Sequence, residues 1–109
     1  KQDIRDFAEG KYYVKQSPLK KSIVPDAGKY TDGVFLIEEI LKRKPKRILE
    51  CGSGASSIAI AHAVKCLSDQ GHECSFTSME QHREFLEQYV LPAVPSQYER
   101  YVNFVVSDI

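Results

Sequence analysis

Residues 47–57, RILECGSGASS, decide how this chain folds. Ile48 and Leu49 form a short apolar run, Gly52 and Gly54 stand one residue apart behind it, and small residues lead into a longer apolar stretch. The pattern predicts a strand over Arg47–Cys51, a tight turn, and a helix over about Ser56–Leu67. Glycine suits such a turn because it has no Cβ to exclude left-handed backbone or to keep a ligand at a distance.

The same alternation continues on either side. Upstream, Val34, Ile37 and Leu41, with Leu36 and Ile40 beside them, recur at helical spacing while Glu38, Glu39, Lys42 and Arg43 stay polar. This predicts an amphipathic helix capped by Thr31 or Asp32 and stopped by Pro45. Downstream, Ile58, Ala59, Ile60, Ala61, Ala63, Val64 and Leu67 leave the helix after the turn little polar face, so it should be deeply buried. Cys74–Glu80 reads as a second strand carried by Phe76, Thr77 and Met79. Gln81–Leu91 reads as a helix with Phe85, Leu86, Tyr89 and Val90 inward, ended by Pro92 and Pro95. Tyr101–Ser107 (YVNFVVS) is rich in β-formers and predicts a third strand closing on Asp108 and Ile109.

Strands alternating with helices imply βαβ units, a parallel sheet and right-handed crossovers: an α/β fold of the Rossmann-like, doubly wound, mostly parallel kind. Three such strands leave edges that need cover. The chain is therefore expected to be part of a longer domain, with residues 1–30 an N-terminal arm and residues 31–109 the N-terminal half of a ligand-binding domain. In the arm, Ile4 and Phe7 are spaced for a short helix that Gly10 can end, and Tyr12, Tyr13, Pro18 and Pro25 suggest an extended, aromatic-bearing strip packed over the domain edge.

Composition bounds the function. With 42% hydrophobic and 28% charged residues, the chain belongs with globular proteins rather than disordered ones. Its longest apolar run, near Ile58–Val64, falls far short of the roughly 20 residues of a membrane span, and no signal-peptide pattern opens it. Cys51, Cys66 and Cys74 are odd in number and lack C-x-x-C spacing, which fits a reducing, cytoplasmic setting without disulfides or structural zinc. Net charge is zero, yet residues 1–47 carry 12 Lys and Arg against 7 Asp and Glu, and the rest carry 3 against 8. The densest cluster, Lys42, Arg43, Lys44, Lys46 and Arg47, reads first as a helix C-terminus complementing the dipole, and second as a nucleic-acid patch.

In an open parallel sheet, ligands bind outside the carboxyl ends of the strands. Three features should converge there. The Gly52–Gly54 turn lets backbone approach a ligand, and the first amides of the following helix offer unpaired donors to an anionic group. Glu80, 26 residues past Gly54, ends the second strand, where a carboxylate accepts both hydroxyls of a ribose; Asp108 ends the third, where it accepts from an exocyclic amine such as adenine N6. A dinucleotide loop would need glycine at position 57, which holds Ser57, and would place its acid about 20 residues on. A P-loop would need G-K-[ST], which is missing. Glu50, two residues ahead of Gly52, would repel a pyrophosphate and attract a cationic amino group. The residues thus describe a pocket for an adenosine with an amino-acid tail.

At this point the chain resembles the class I S-adenosylmethionine-dependent methyltransferases, over roughly residues 30–109. ILECGSGASS looks like their first motif, FTSMEQHREFLEQ resembles their acidic second-strand motif and the helix after it, and VNFVVSDI is similar to their third strand. The G-S-G-x-S and S-M-E forms are most like the small O-methyltransferase-like members. The resemblance implies a seven-stranded sheet with helices on both faces, of which strands one to three are present. It also implies that S-adenosylmethionine is the cofactor. Glu50, Gly52, Ser53 and Gly54 would line its methionine portion, with Ser56 near the carboxylate. Glu80 would bind the ribose, Gln81 would lie beside the adenine, Asp108 would accept from N6, and Ile109 would pack on the ring. The expected activity is methyl transfer to a small-molecule nucleophile, a hydroxyl first, with RNA ranked second as acceptor. Two alternatives stand beside it: an NAD(P)-dependent oxidoreductase, and a non-catalytic nucleotide-binding or scaffold protein. No catalytic base is identified.

The remaining chemistry-bearing residues read as structural. His62 falls in the buried helix, His72 in a polar turn and His82 beside the expected site, without metal-ligand spacing among them. Cys51 reads as a small buried hydrophobe. Tyr12, Tyr13 and Tyr30 read as packing residues of the arm.

Overall fold

The computed structural model describes residues 32–107 and, before them, Arg5. The arm expected over residues 1–30 and the expected contacts of Asp108 and Ile109 lie outside the described residues. The chain runs through helix α1 (Asp32–Arg43), strand β1 (Arg47–Cys51), helix α2 (Ala55–Asp69), strand β2 (Ser75–Glu80), a composite helical segment (Arg83–Ala93), a 3-10 helix (Ser96–Tyr101) and strand β3 (Asn103–Val106). The strands form one parallel sheet in the order β1-β2-β3, with Ile48 opposite Phe76, Cys51 opposite Met79, and Glu80 opposite Val106. This is an α/β fold on a three-stranded parallel sheet.

One face of that sheet carries the core. Ile48, Phe76, Phe104 and Val106 point to it, where they meet Ile37 and Ile40 of α1 and Ile58, Ala61, Val64 and Leu67 of α2. Helix α2 lies between α1, β2 and the 3-10 helix, which accounts for a sequence apolar on almost every side. Strand periodicity sends the alternate residues the other way, and Leu49 and Val105 on that face remain 62% and 36% exposed. Among the described residues the helices therefore cover one face only.

Helix α1 ends differently from expectation. Lys44, not Pro45, stops it: Lys44 takes a left-handed φ of 48° while its N–H closes the last turn on the Ile40 carbonyl at 2.8 Å. Such a terminus normally holds glycine, because a Cβ crowds the following carbonyl. Lys44→Gly is expected to stabilise the fold by about 0.5–1 kcal/mol, read as a higher urea midpoint. A lower midpoint would mean that the cation at the negative end of the helix outweighs the backbone strain.

The segment expected as one helix over Gln81–Leu91 is instead composite: an α turn at Arg83–Phe85, a wider π turn at Leu86–Val90 and a 3-10 turn at Leu91–Ala93. Pro92 has no N–H to offer the carbonyl four residues back, so the regular ladder cannot run to the end. Phe85, Leu86 and Val90 are nonetheless buried as the spacing required. The third strand begins two residues later than expected, since Tyr101 closes the 3-10 helix that carries Tyr98 into the core at 1% exposure. Burial of that ring overrides the β-propensity of its neighbours. Among the described residues no helix is long and apolar enough to cross a membrane.

Candidate functional site

The parallel register brings the carboxyl ends of all three strands to one edge, so the Gly52–Gly54 loop after β1 and Glu80 at the end of β2 are neighbours. The Gly52 N–H donates to the Met79 carbonyl at 2.7 Å and carries the β1–β2 ladder one residue into the loop. Gly52 turns there with φ 96°, which requires glycine. Gly54 is extended and needs no special freedom. Its value is space, because a Cβ built on it meets nothing within 4 Å. Helix α2 starts at once behind it, presenting its first amides towards the same edge.

Two carboxylates organise the loop, and each is held by donors distant in sequence. Glu80 is 1% exposed. Its Oε1 accepts the Ser53 backbone N–H at 2.8 Å and the Ser53 hydroxyl at 2.7 Å, while its Oε2 accepts the His82 N–H at 2.9 Å. Glu50 is half-buried beside it in register with Ser78. Its Oε2 accepts the Ser56 hydroxyl at 2.6 Å, and its Oε1 accepts the hydroxyls of Ser57 and, at 2.7 Å, Ser78. The Ser57 oxygen in turn accepts the Gly54 N–H at 3.1 Å and lies 3.4 Å from that of Ser78. Hydroxyls alone thus satisfy Glu50 among the described residues, and none of the ion pairs among those residues involves it. Glu50 thus stands at the loop mouth with no cation beside it among the described residues.

The expected site residues divide accordingly. Glu50, Gly52, Ser53, Gly54, Ser56 and Glu80 share one neighbourhood, and exposed Gln81 follows Glu80 on the same edge. Asp108 and Ile109 lie outside the described residues. Two residues of the network carry no functional mark in the sequence. Ser57 stands there only as the absence of a third glycine, and its hydroxyl ties the N-terminus of α2 to Glu50. Ser78 belongs to no motif, although it stands two residues before Glu80 and so faces the same side of β2.

Of the other reactive side chains, His62, His72 and Cys74 lie apart from this edge, while Cys51, the last residue of β1, adjoins the loop. His62 is a buried, hydrogen-bonded core histidine, with Nδ1 3.0 Å from the Tyr98 hydroxyl and Nε2 3.5 Å from Cys66 Sγ. His72 donates from Nε2 to the Pro45 carbonyl at 3.0 Å. Cys51, expected to be buried, is exposed: it follows Leu49 by two residues and shares that strand's open face. Cys74 is half-buried, and burial pushes its thiol above the ordinary range, since the thiolate is the form that loses solvation. Among the described residues no three His, Cys, Asp or Glu side chains gather as metal ligands would. No family model matches the chain and no curated protein matches it, so the functional reading rests on the site's own residues.

Proposed function

We propose that this edge binds S-adenosylmethionine and that the chain is part of a class I methyltransferase acting on a small-molecule nucleophile, a hydroxyl in the first instance. The observation that carries the reading is the pair of carboxylates around one open glycine loop: Glu80 at the strand end, and Glu50 compensated, among the described residues, by hydroxyls rather than by a cation. A pyrophosphate brought to this loop would meet two negative charges, whereas a ribose diol and an ammonium group each find an acceptor.

The residues present suit the cofactor. The space in front of Gly54 admits a ligand close to backbone, the first amides of α2 can take a carboxylate, Glu50 is of the right sign for an amino group, and Glu80 for ribose hydroxyls. When bound, S-adenosylmethionine supplies an electrophilic methyl on its sulfonium. The protein's task is then chiefly to hold the two reactants in line. A hydroxyl acceptor also calls for a general base, which the reading assigns to no described residue. The basic cluster Lys42–Arg47 supports a small acceptor over RNA, because it leads into the amino end of β1 while the loop sits at the carboxyl end.

Calorimetric titration of the full-length protein with S-adenosylhomocysteine and, separately, with NADH tests the reading. Saturable binding of the sulfur nucleoside without NADH is expected. Binding of NADH alone would replace the methyltransferase reading with that of an oxidoreductase.

A further inference from the structure

At the amino ends of β2 and β3, the edge of the sheet opposite the glycine loop, lies a cavity of about 220 Å3 that shares no residue with the carboxylate site. We propose that this cavity binds a small aromatic monocarboxylate, with its ring on the apolar floor and its carboxylate on the Arg100 guanidinium.

The floor comes from three elements. Val64 of α2 and Phe76 of β2 are buried members of the core, and Val102, which leads into β3, packs against that core. Cys74 adds a half-buried thiol, and because burial holds it above the ordinary range it stays neutral and does not oppose an anion. An apolar cavity of about 150 Å3 holds one benzene ring, so the larger volume here leaves room for a ring and a carboxylate.

The charge stands at the rim. Arg100 is exposed near the end of the 3-10 helix, and its guanidinium carbon lies 5.2 Å from the centroid of the Tyr101 ring. Stacking on that ring positions the guanidinium without occupying its N–H donors. Among the described residues Arg100 forms no ion pair. Neither Glu73, next to Cys74, nor Glu99, next to Arg100, lines the cavity. Ser75 and Asn103, the first residues of β2 and β3, complete a polar rim. One guanidinium with no other cation among the lining residues matches a single negative charge, which favours a carboxylate over a dianionic phosphate.

Benzoate titrated into the full-length protein and followed by amide chemical shifts tests the site. Saturable binding with a Kd on the order of 1 mM is expected, with the largest shifts at Val64, Cys74, Phe76 and residues 100–103. Acetate carries the charge without the ring and benzyl alcohol the ring without the charge, so each should bind roughly 10-fold more weakly. Arg100→Gln should weaken benzoate by about 10-fold and leave benzyl alcohol unchanged, whereas Cys74→Phe, which fills the cavity, should weaken both. Arg100 is exposed, so its substitution should leave the melting temperature unaltered and remains informative if the Cys74 variant folds poorly. Shifts centred elsewhere, acetate binding as tightly as benzoate, or an affinity for benzoate that ignores Arg100→Gln would each overturn the proposal. Binding of S-adenosylhomocysteine should be the same in Arg100→Gln as in the unaltered protein, so this site and the cofactor reading can fail separately.

Discussion

Glu80→Ala is expected to weaken S-adenosylhomocysteine by roughly 10- to 100-fold and to destabilise the fold by about 2–4 kcal/mol. The two losses have one origin. Glu80 accepts three hydrogen bonds from Ser53 and His82 in a position almost closed to water, and alanine leaves those donors without their acceptor. An unsatisfied buried donor costs about 1–3 kcal/mol, more than a made bond contributes. In a domain of this size such a loss lowers the melting temperature by on the order of 10 °C or more. Glu80→Gln should also destabilise, because an amide turns an N–H2 towards either Ser53 or His82, both of which already donate. Thermal denaturation checks the first effect and calorimetry the second. A melting temperature like that of the unaltered protein would refute the hydrogen-bonding role, and an unchanged affinity would remove Glu80 from the ligand.

Glu50 separates fold from charge in a way that Glu80 does not. Glu50→Ala strips the acceptor from Ser56, Ser57 and Ser78, of which Ser57 and Ser78 are fully buried, and is expected to cost about 2–4 kcal/mol. Glu50→Gln retains a carbonyl oxygen for Ser57 and Ser78, and the Ser56 hydroxyl can turn to accept from the new amide. It should therefore cost only about 1 kcal/mol while deleting the negative charge. If that charge meets the ligand's ammonium group, Glu50→Gln loses ~10-fold for S-adenosylhomocysteine but not for 5′-methylthioadenosine, which has no amino-acid tail. Equal losses for both ligands would make Glu50 a strut for the N-terminus of α2 and nothing more.

How far the site can be read from sequence depends on the distance between its parts. The turn at Gly52, the start of α2 behind Gly54 and the buried faces of α1 and α2 follow from periodicity and from what a Cβ permits, and they stand where the spacing put them. Glu50 and Glu80 drew notice for their places at a loop mouth and a strand end. Their partners did not, because a bond between Ser53 and Glu80 spans 27 positions and one between Ser78 and Glu50 spans 28. Only the parallel pairing of Glu50 with Ser78 brings those groups together. The exposure of Cys51 is not legible in sequence for a related reason, since alternation says that Leu49 and Cys51 share a face but not which face is covered.

The helical ends show the same division at shorter range. Lys44 in a left-handed conformation and the π turn before Pro92 both lie within stretches whose helical character was plain. In each the chain accepts local strain or loosened hydrogen bonding where burial on the apolar face holds the segment in place. The sequence by itself determined the alternation of helices and strands and the glycine turn, because hydrophobic period and backbone sterics act over a few residues. Tertiary structure alone decided that Glu50 is held by serine hydroxyls and Glu80 by Ser53 and His82, because a buried carboxylate takes whichever donors the sheet register sets beside it.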